Sequence, residues 1–205
     1  MKITKIEAQK KDKHRYNIFI DGSFAFGLYE DSVLKYGLRS GDELNEKKII
    51  EMREFDEFGY GKKAAYSFLA YKPRSKKDLV KKLKQKKISD NTIADIIELL
   101  EKQKYLNDEI YARNYLEDKL SSKPIGKRLA MMKLLEKGID KEQIESVINE
   151  NYSEDKEFEL AAKLMEKYEK KVKFKDQADK KNKCYRYLIS KGFDYETAGR
   201  VLSLY

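Results

Sequence analysis

The chain of 205 residues is poor in the residues that build metal and nucleophilic sites, with one cysteine, one histidine and no tryptophan. An intrachain disulfide needs two cysteines, so none forms, and nothing suggests an oxidising compartment. Zinc centres need clustered ligands, but His14 and Cys184 each stand alone. His14 precedes a predicted strand and is typical of a surface or turn residue rather than a general base. The sequence therefore predicts a protein that is not an enzyme and that uses no cofactor or metal.

Long apolar runs are also missing. No segment approaches the ~18 uninterrupted apolar residues that a membrane span needs, and the start MKITKIEAQKKDK has no apolar run of signal-peptide length. Gly59-Tyr60-Gly61-Lys62-Lys63 lacks the spacing of a phosphate-binding loop and is predicted to lead into a helix. We therefore expect a cytoplasmic protein without membrane contact.

Charge is abundant and unevenly distributed along the chain. Of the net charge of +9, +8 falls on residues 59–107, and residues 1–58, 108–153 and 154–205 carry −1, −1 and +3. Apolar residues make up 40% and aromatic residues 12%, which is typical of a folded chain. The local excess of Lys and Arg favours a basic surface that faces nucleic acid or an acidic partner, with a Lys-rich solubilising face as the alternative.

The N-terminal segment shows strand periodicity. Apolar and polar residues alternate over 3–8, 16–20 and 24–28, and Asp21-Gly22 is a turn signal between the second and third runs. This pattern predicts a small antiparallel β-meander. A short helix over 29–36 and a second from 45 towards 58 should follow.

Beyond residue 61 the apolar pattern is helical and repeats three times. When Ile88, Ile139 and Phe193 are aligned, the positions nine residues earlier are Leu79, Ala130 and Cys184, so Cys184 reads as a buried apolar residue. Each copy predicts three helices. The equivalent N-caps of the third helices are Ser89, Asp140 and Asp194, and Gly138 and Gly192 suit left-handed positions just before two of them.

The predicted fold class is mainly α, with three tandem three-helix repeats in an elongated right-handed-type helical array, preceded by a small N-terminal β-meander plus helices. The expected domains are an N-terminal part at 1–60 and repeats at 61–107, 108–153 and 154–205.

The second helix of each repeat is basic. Residues 74, 77, 81 and 84 have helical spacing and should form one stripe opposite Leu79 and Leu83. The candidate residues for binding a partner or nucleic acid are Arg74, Lys76, Lys77, Lys81, Lys82, Lys84, Lys127, Arg128, Lys133, Lys180, Lys181 and Arg186.

Several motifs in their order resemble the RecX family from about residue 61 to the end. They are A-x-x-F-L-A-Y-K-P-R-S-K-K-D-L-V-K-K-L (65–83), K-Y-L-N-D-E-I-Y-A (104–112), G-K-R-L (126–129), L-E-K-G-I (135–139) and Y-L-I-S-K-G-F-D-Y-E (187–196). R-Y-N-I-F-I-D-G (15–22) resembles the extension of longer Gram-positive-type members. Gly126 in place of Ser75, and Ala130-Met131-Met132 before the leucine, depart from the family pattern.

The resemblance implies three tandem three-helix repeats without catalytic residues. It further implies a monomer that binds in the groove of a RecA recombinase filament, inhibits ATP hydrolysis and strand exchange, and modulates recombination and the SOS response. Contact with DNA through the basic faces is part of the same expectation.

Two other functions stay open on the sequence. One is a DNA-binding module without sequence specificity, because the third helices, such as Thr92 to Leu100, lack the Arg, Asn and Gln that read base edges. The other is a helical-repeat scaffold for a different acidic protein, with tyrosines such as Tyr105, Tyr111 and Tyr115 as anchors.

Overall fold

The computed structural model of the chain describes residues 1–204. The contacts divide it into two compact units, one formed by residues 1–73 and 79–105 and the other by residues 74–78 and 106–204. In chain order the elements are β1 (Ile3–Ala8), β2 (Arg15–Ile20), β3 (Ser23–Tyr29), α1 (Glu30–Lys35), α2 (Glu46–Tyr71), α3 (Lys76–Gln85), α4 (Asp90–Lys102), α5 (Asp108–Ser122), α6 (Lys127–Glu136), α7 (Lys141–Asn151), α8 (Glu154–Glu169), α9 (Gln177–Ser190) and α10 (Tyr195–Ser203).

The N-terminal meander is confirmed as an antiparallel sheet in the order β1-β2-β3. The alternation of apolar residues turns one face inward, so that Ile3, Ile18 and Leu28 are fully buried. They pack in one cluster with Met52 of α2. The sheet is therefore held to the helical part through the first half of α2.

Helix α2 corrects one expectation from the sequence. The predicted helix end near Phe58 and the new start at Gly61 are wrong, because α2 runs unbroken from Glu46 to Tyr71. Gly61 acts by close approach, since a Cβ atom there would lie 2.6 Å from Cδ1 of Ile96 on α4. The glycine pair that resembled a break is thus inside a helix, and Gly61 lets α4 pack against it.

The first three-helix domain uses the second half of α2 together with α3 and α4. Leu79 and Leu83 of α3 are fully buried, as their spacing predicts. Ser89 is confirmed as the N-cap of α4, where its side chain accepts a hydrogen bond from the backbone N–H of Thr92. Ile96 and Leu100 of α4 are fully buried.

The second and third domains consist of α5–α7 and α8–α10, and each has its own core cluster. Asp140 and Asp194 cap α7 and α10 as predicted. Gly138 and Gly192 have φ values of +78° and +87°, the predicted left-handed conformation. Cys184 is fully buried.

The chain is thus mainly helical, with three three-helix domains and a small N-terminal antiparallel sheet. The expected ranges 1–60, 61–107, 108–153 and 154–205 remain predictions. Residue 60 lies inside α2, and Tyr205 is outside the described residues. Within residues 1–204, no helix combines the length and the apolar character that crossing a bilayer requires.

Candidate partner-binding surface

The second half of α3 presents three of the predicted cations. Its buried leucines face the core, so Lys81 and Lys84 are exposed on the opposite side. Lys84 forms a 2.8 Å ion pair with Asp90, and the Lys82 ammonium lies 5.8 Å from the ring centre of Phe68. Lys81 has no ion pair among the described residues and is the cation of this segment most open to a partner.

The start of α3 is used differently. The Ser75 hydroxyl accepts from the backbone N–H of Asp78, the arrangement of an N-cap, and the backbone N–H of Lys76 donates to Asp108 at 2.8 Å. The Lys77 ammonium donates to the carbonyl oxygen of Glu136 at 3.0 Å. Lys77, one of the four cations of the predicted stripe, therefore uses its ammonium group in a contact within the protein.

An ion pair of 2.9 Å joins Asp78 to Lys137 beside this contact. The hydrogen bond from Lys137 to Asp78 raises the pKa of the lysine, against the effect of burial. The positive charge of Arg74 lies close enough to Tyr111 and Lys137 to oppose the rise in their pKa values. Arg74, Lys76 and Lys77 therefore belong to a polar junction between the first turn of α3 and the second domain.

The equivalent junction between the second and third domains is made by the backbone. The Gly126 N–H donates to the Lys191 carbonyl at 2.8 Å, and the Arg128 N–H donates to the Gly192 carbonyl at 3.1 Å. A Cβ atom on Gly126 would lie 2.3 Å from the Phe193 nitrogen, and one on Gly192 would lie 2.2 Å from Cβ of Leu129. Only glycine permits so close an approach.

The predicted cations on α6 follow this junction along the chain, and each makes an internal contact. The Lys127 backbone N–H donates to Glu157 Oε1 at 2.9 Å, and burial raises the pKa of this glutamate. The Arg128 guanidinium lies 5.8 Å from the ring centre of Tyr195. Lys133 forms a 2.9 Å ion pair with Glu136 one turn later.

On α9, Lys180 forms a 3.0 Å ion pair with Glu169. Lys181 and Arg186 are exposed and form no ion pair within residues 1–204. Lys77 and Arg128 are also exposed, but Lys77 donates to the Glu136 carbonyl and Arg128 lies against Tyr195. Of the twelve candidate cations, Lys81, Lys181 and Arg186 are thus the exposed ones with no ion pair, side-chain hydrogen bond or cation–π contact within residues 1–204.

His14 and Cys184, which the sequence predicts not to be catalytic, have no neighbours within residues 1–204 that are typical of a catalytic group. His14 is exposed, and its Nδ1 lies 3.1 Å from the carboxylate of Glu30. Burial raises the pKa of the Cys184 thiol, so the nucleophilic thiolate is disfavoured. Among the described residues there is no group of three or more His, Cys, Asp or Glu arranged to hold a metal ion.

A second cationic feature was not predicted from the sequence: a pocket in the second unit lined by lysines from first helices, from loops and, at Lys133, from the second helix α6. A search along the second helices finds only Lys133 among them, because the other five lysines are scattered over other segments from residue 119 to residue 191. One signal was available. Tyr115 and Lys119, and likewise Tyr187 and Lys191, stand four residues apart and share a helix face.

Family models match most of the chain in the order of its domains. The matches are the regulatory protein RecX N-terminal domain at 1–45 and the first, second and third three-helix domains of RecX at 62–100, 107–148 and 154–202. The chain belongs to the RecX family.

Relatives agree with this assignment. Regulatory protein RecX of Staphylococcus aureus strain Newman is 33% identical over 202 residues, which are 98% of this chain and 74% of that RecX. A crystal structure of regulatory protein RecX superposes with a TM-score of 0.67 at 29% identity and covers 98% of both chains. The crystal structure of RecX from Lactobacillus salivarius gives 0.64 at 27% identity, over 73% of this chain and 96% of that one.

Proposed function

We propose that this RecX-family chain binds a RecA recombinase filament and inhibits its ATPase and strand-exchange activities, so that it restrains recombination and the SOS response. The observation that carries the proposal is the match of four RecX domain models along the chain. The chain would act in the cytoplasm, as a monomer, by binding rather than by catalysis. The exposed His14 and the buried Cys184 support this reading, since neither has the surroundings of a catalytic group.

The basic faces supply a physical means of binding. A nucleoprotein filament exposes phosphates and acidic side chains, and exposed lysines and arginines are attracted to both. Lys81, Lys181 and Arg186 are the exposed candidate residues that need break no internal ion pair, side-chain hydrogen bond or cation–π contact to bind a partner. The other nine candidates would contribute charge while keeping their internal contacts.

The direct experiment measures ATP hydrolysis by RecA on single-stranded DNA after adding the purified chain at a substoichiometric ratio. We expect ATP hydrolysis to fall. We also expect filaments to shorten in electron micrographs or strand exchange to stop. Unchanged hydrolysis together with unchanged filament length would refute the proposal.

A charge-reversal variant tests the residues. Lys81→Glu, Lys181→Glu and Arg186→Glu together should weaken inhibition by about tenfold, because each reversal replaces attraction by repulsion. The matched control reverses three exposed lysines outside the candidate set, Lys141, Lys156 and Lys163. This control changes the net charge by the same amount. It should inhibit within about twofold of the parent chain if inhibition depends on the positions of the cations and not on net charge alone. Circular dichroism checks that both variants remain folded.

A further inference from the structure

A pocket of about 620 Å³ lies between the second and third domains, within the second unit. Six of its lining residues are lysines: Lys119, Lys123, Lys133, Lys167, Lys171 and Lys191. No acidic side chain of residues 1–204 lines it. We call it the lysine pocket.

Part of this charge is not neutralised by neighbours. Lys119 lies 3.8 Å from Asp118, and Lys133 pairs with Glu136. The remaining four lysines form no ion pair within the described chain. Like charges crowded around one concavity repel one another, so the pocket should attract an anion with several charges.

Tyrosines hold two of the ammonium groups in place. The Lys119 ammonium lies 5.4 Å from the ring centre of Tyr115, and that of Lys191 lies 5.2 Å from the ring centre of Tyr187. Tyr187 is itself stacked on Tyr168, with ring centres 4.0 Å apart and planes 9° from parallel. Two of the six pocket lysines, Lys119 and Lys191, thus lie against aromatic rings.

The pocket also has an apolar floor. Ile125 and Leu164 are buried and Leu129 is half-buried, whereas Lys123, Lys167 and Lys171 are exposed. Cations at the rim with aliphatic and aromatic surface below match a chain in which charged phosphates alternate with flat bases. A volume within the ~300–1,000 Å³ range of ligand pockets admits nucleotides of a single strand, whereas a duplex keeps its bases inside the helix.

Two features favour phosphates over the carboxylates of an acidic peptide. The pocket contains no arginine, which is the side chain that pairs carboxylates with two parallel hydrogen bonds. Lysine acts as a compact point charge and is a common phosphate ligand. The floor of Ile125, Leu129 and Leu164 also gains nothing from glutamate or aspartate side chains.

We propose that the lysine pocket binds single-stranded nucleic acid, with backbone phosphates on Lys123, Lys167 and Lys171 and a base against the floor formed by Leu129 and Leu164. Five of the six lysines lie outside the twelve candidate residues, and only Lys133 belongs to both sets. The three lysines proposed to bind phosphates therefore do not belong to the surface proposed to face the recombinase.

The test measures fluorescence anisotropy of a fluorescein-labelled 15-mer of deoxythymidine titrated with the full chain. Replacing Lys123, Lys167 and Lys171 by Gln should weaken binding by about tenfold. It should also reduce the slope of log K against log salt by about 2, since each single-strand phosphate contact contributes ~0.7. The control replaces Lys141, Lys156 and Lys163 by Gln, removes the same charge, and should bind within about twofold of the parent.

Competition separates the possible ligands. Unlabelled 15-mer should displace the probe better than a duplex of the same length and better than a 15-residue polyglutamate peptide. Stronger displacement by either competitor, or equal binding by the two lysine variants, would overturn the proposal. The single variant Lys167→Gln, at an exposed position on α8, gives the same test if the triple variant does not fold. No recombinase is present, so the result is independent of the proposed inhibition of RecA.

Discussion

The hydroxyl of Ser89 donates a 2.5 Å hydrogen bond to Oε2 of Glu57, and the Ser89 backbone N–H lies 3.1 Å from Oε1 of the same carboxylate. Thr92 donates its hydroxyl to the carboxylate as well, at 2.6 Å. Glu57 lies on α2 and Ser89 caps α4. One carboxylate therefore joins the middle of α2 to the start of α4.

Ser89→Ala should destabilise the chain by about 1–2 kcal/mol, because it removes both the cap of α4 and the hydroxyl bound to Glu57. Urea unfolding of the parent, of each single variant and of the double variant with Glu57→Gln measures the interaction. We expect a coupling of about 0.5–3 kcal/mol. Strict additivity of the two changes would contradict this role for Glu57.

The pKa of Glu57 predicts how this interaction depends on pH. Burial raises the pKa of Glu57, but hydrogen bonds from Ser89 and Thr92 outweigh burial and hold it below its ordinary value. The stabilisation is therefore complete above the unfolded pKa of about 4.3 and is lost as pH falls through the folded pKa. The difference in unfolding free energy between the parent and Glu57→Gln should shrink as the pH of a urea titration series is lowered from 6 to 3.

Glu157 should show the opposite pH dependence. Burial raises its pKa above the ordinary value despite the hydrogen bond from the Lys127 backbone. A carboxyl group of this kind favours folding while protonated, and that contribution is lost as pH rises through the folded pKa. Glu157→Gln stays neutral and keeps an acceptor, so it should gain stability relative to the parent between pH 4 and pH 7 in thermal unfolding. A parallel pair of curves would exclude this effect.

Gly192→Ala should destabilise the chain by about 2–4 kcal/mol. The φ of +87° strains any L side chain, and the added methyl group would meet Leu129. Gly199→Ala is the matched control, because Gly199 lies in α10 with nothing within 4 Å of an added Cβ. It should be neutral or stabilise by up to about 1 kcal/mol. Equal melting temperatures of the two variants would contradict the close packing at Gly192.

Lys77 and Lys81 should respond differently to truncation although they stand four residues apart. Lys77→Ala removes the hydrogen bond to Glu136 and the aliphatic contact over Gly138, and should cost about 1 kcal/mol. Lys81→Ala, at an exposed position, should stay within about 0.5 kcal/mol of the parent. Urea midpoints compare the two. A larger loss at Lys81 would reverse the assignment of structural and partner-facing residues along α3.

Periodicity predicted most of the fold because buried positions recur in the sequence as apolar residues at strand or helix spacing. The alternation around Ile18 and the leucine spacing of α3 each report which face is buried. The glycines were harder to interpret. Gly138 and Gly192 end helices, as predicted, while Gly61 sits inside one, and the choice depends on Ile96, 35 positions further along the chain.

The candidate surface was predictable only in part. Residue type and helical spacing locate cations on a helix, but whether an ammonium is already bound depends on distant groups such as the Glu136 carbonyl beside Lys77. The lysine pocket depends on tertiary structure even more, since Lys123 and Lys171 approach a common concavity from different segments. Composition carries no record of such convergence.

The continuity of α2 has a mechanical consequence. Its first half buries Met52 against the sheet, its second half buries Ala65, and no loop separates them. The family models for the N-terminal domain and the first three-helix domain leave residues 46–61 between them, and all of these residues lie in α2. A force applied to the β-meander is therefore transmitted along a continuous helix to the first three-helix domain. The sheet and this domain should unfold together. Cutting the chain at residue 61 would remove the helical connection between them.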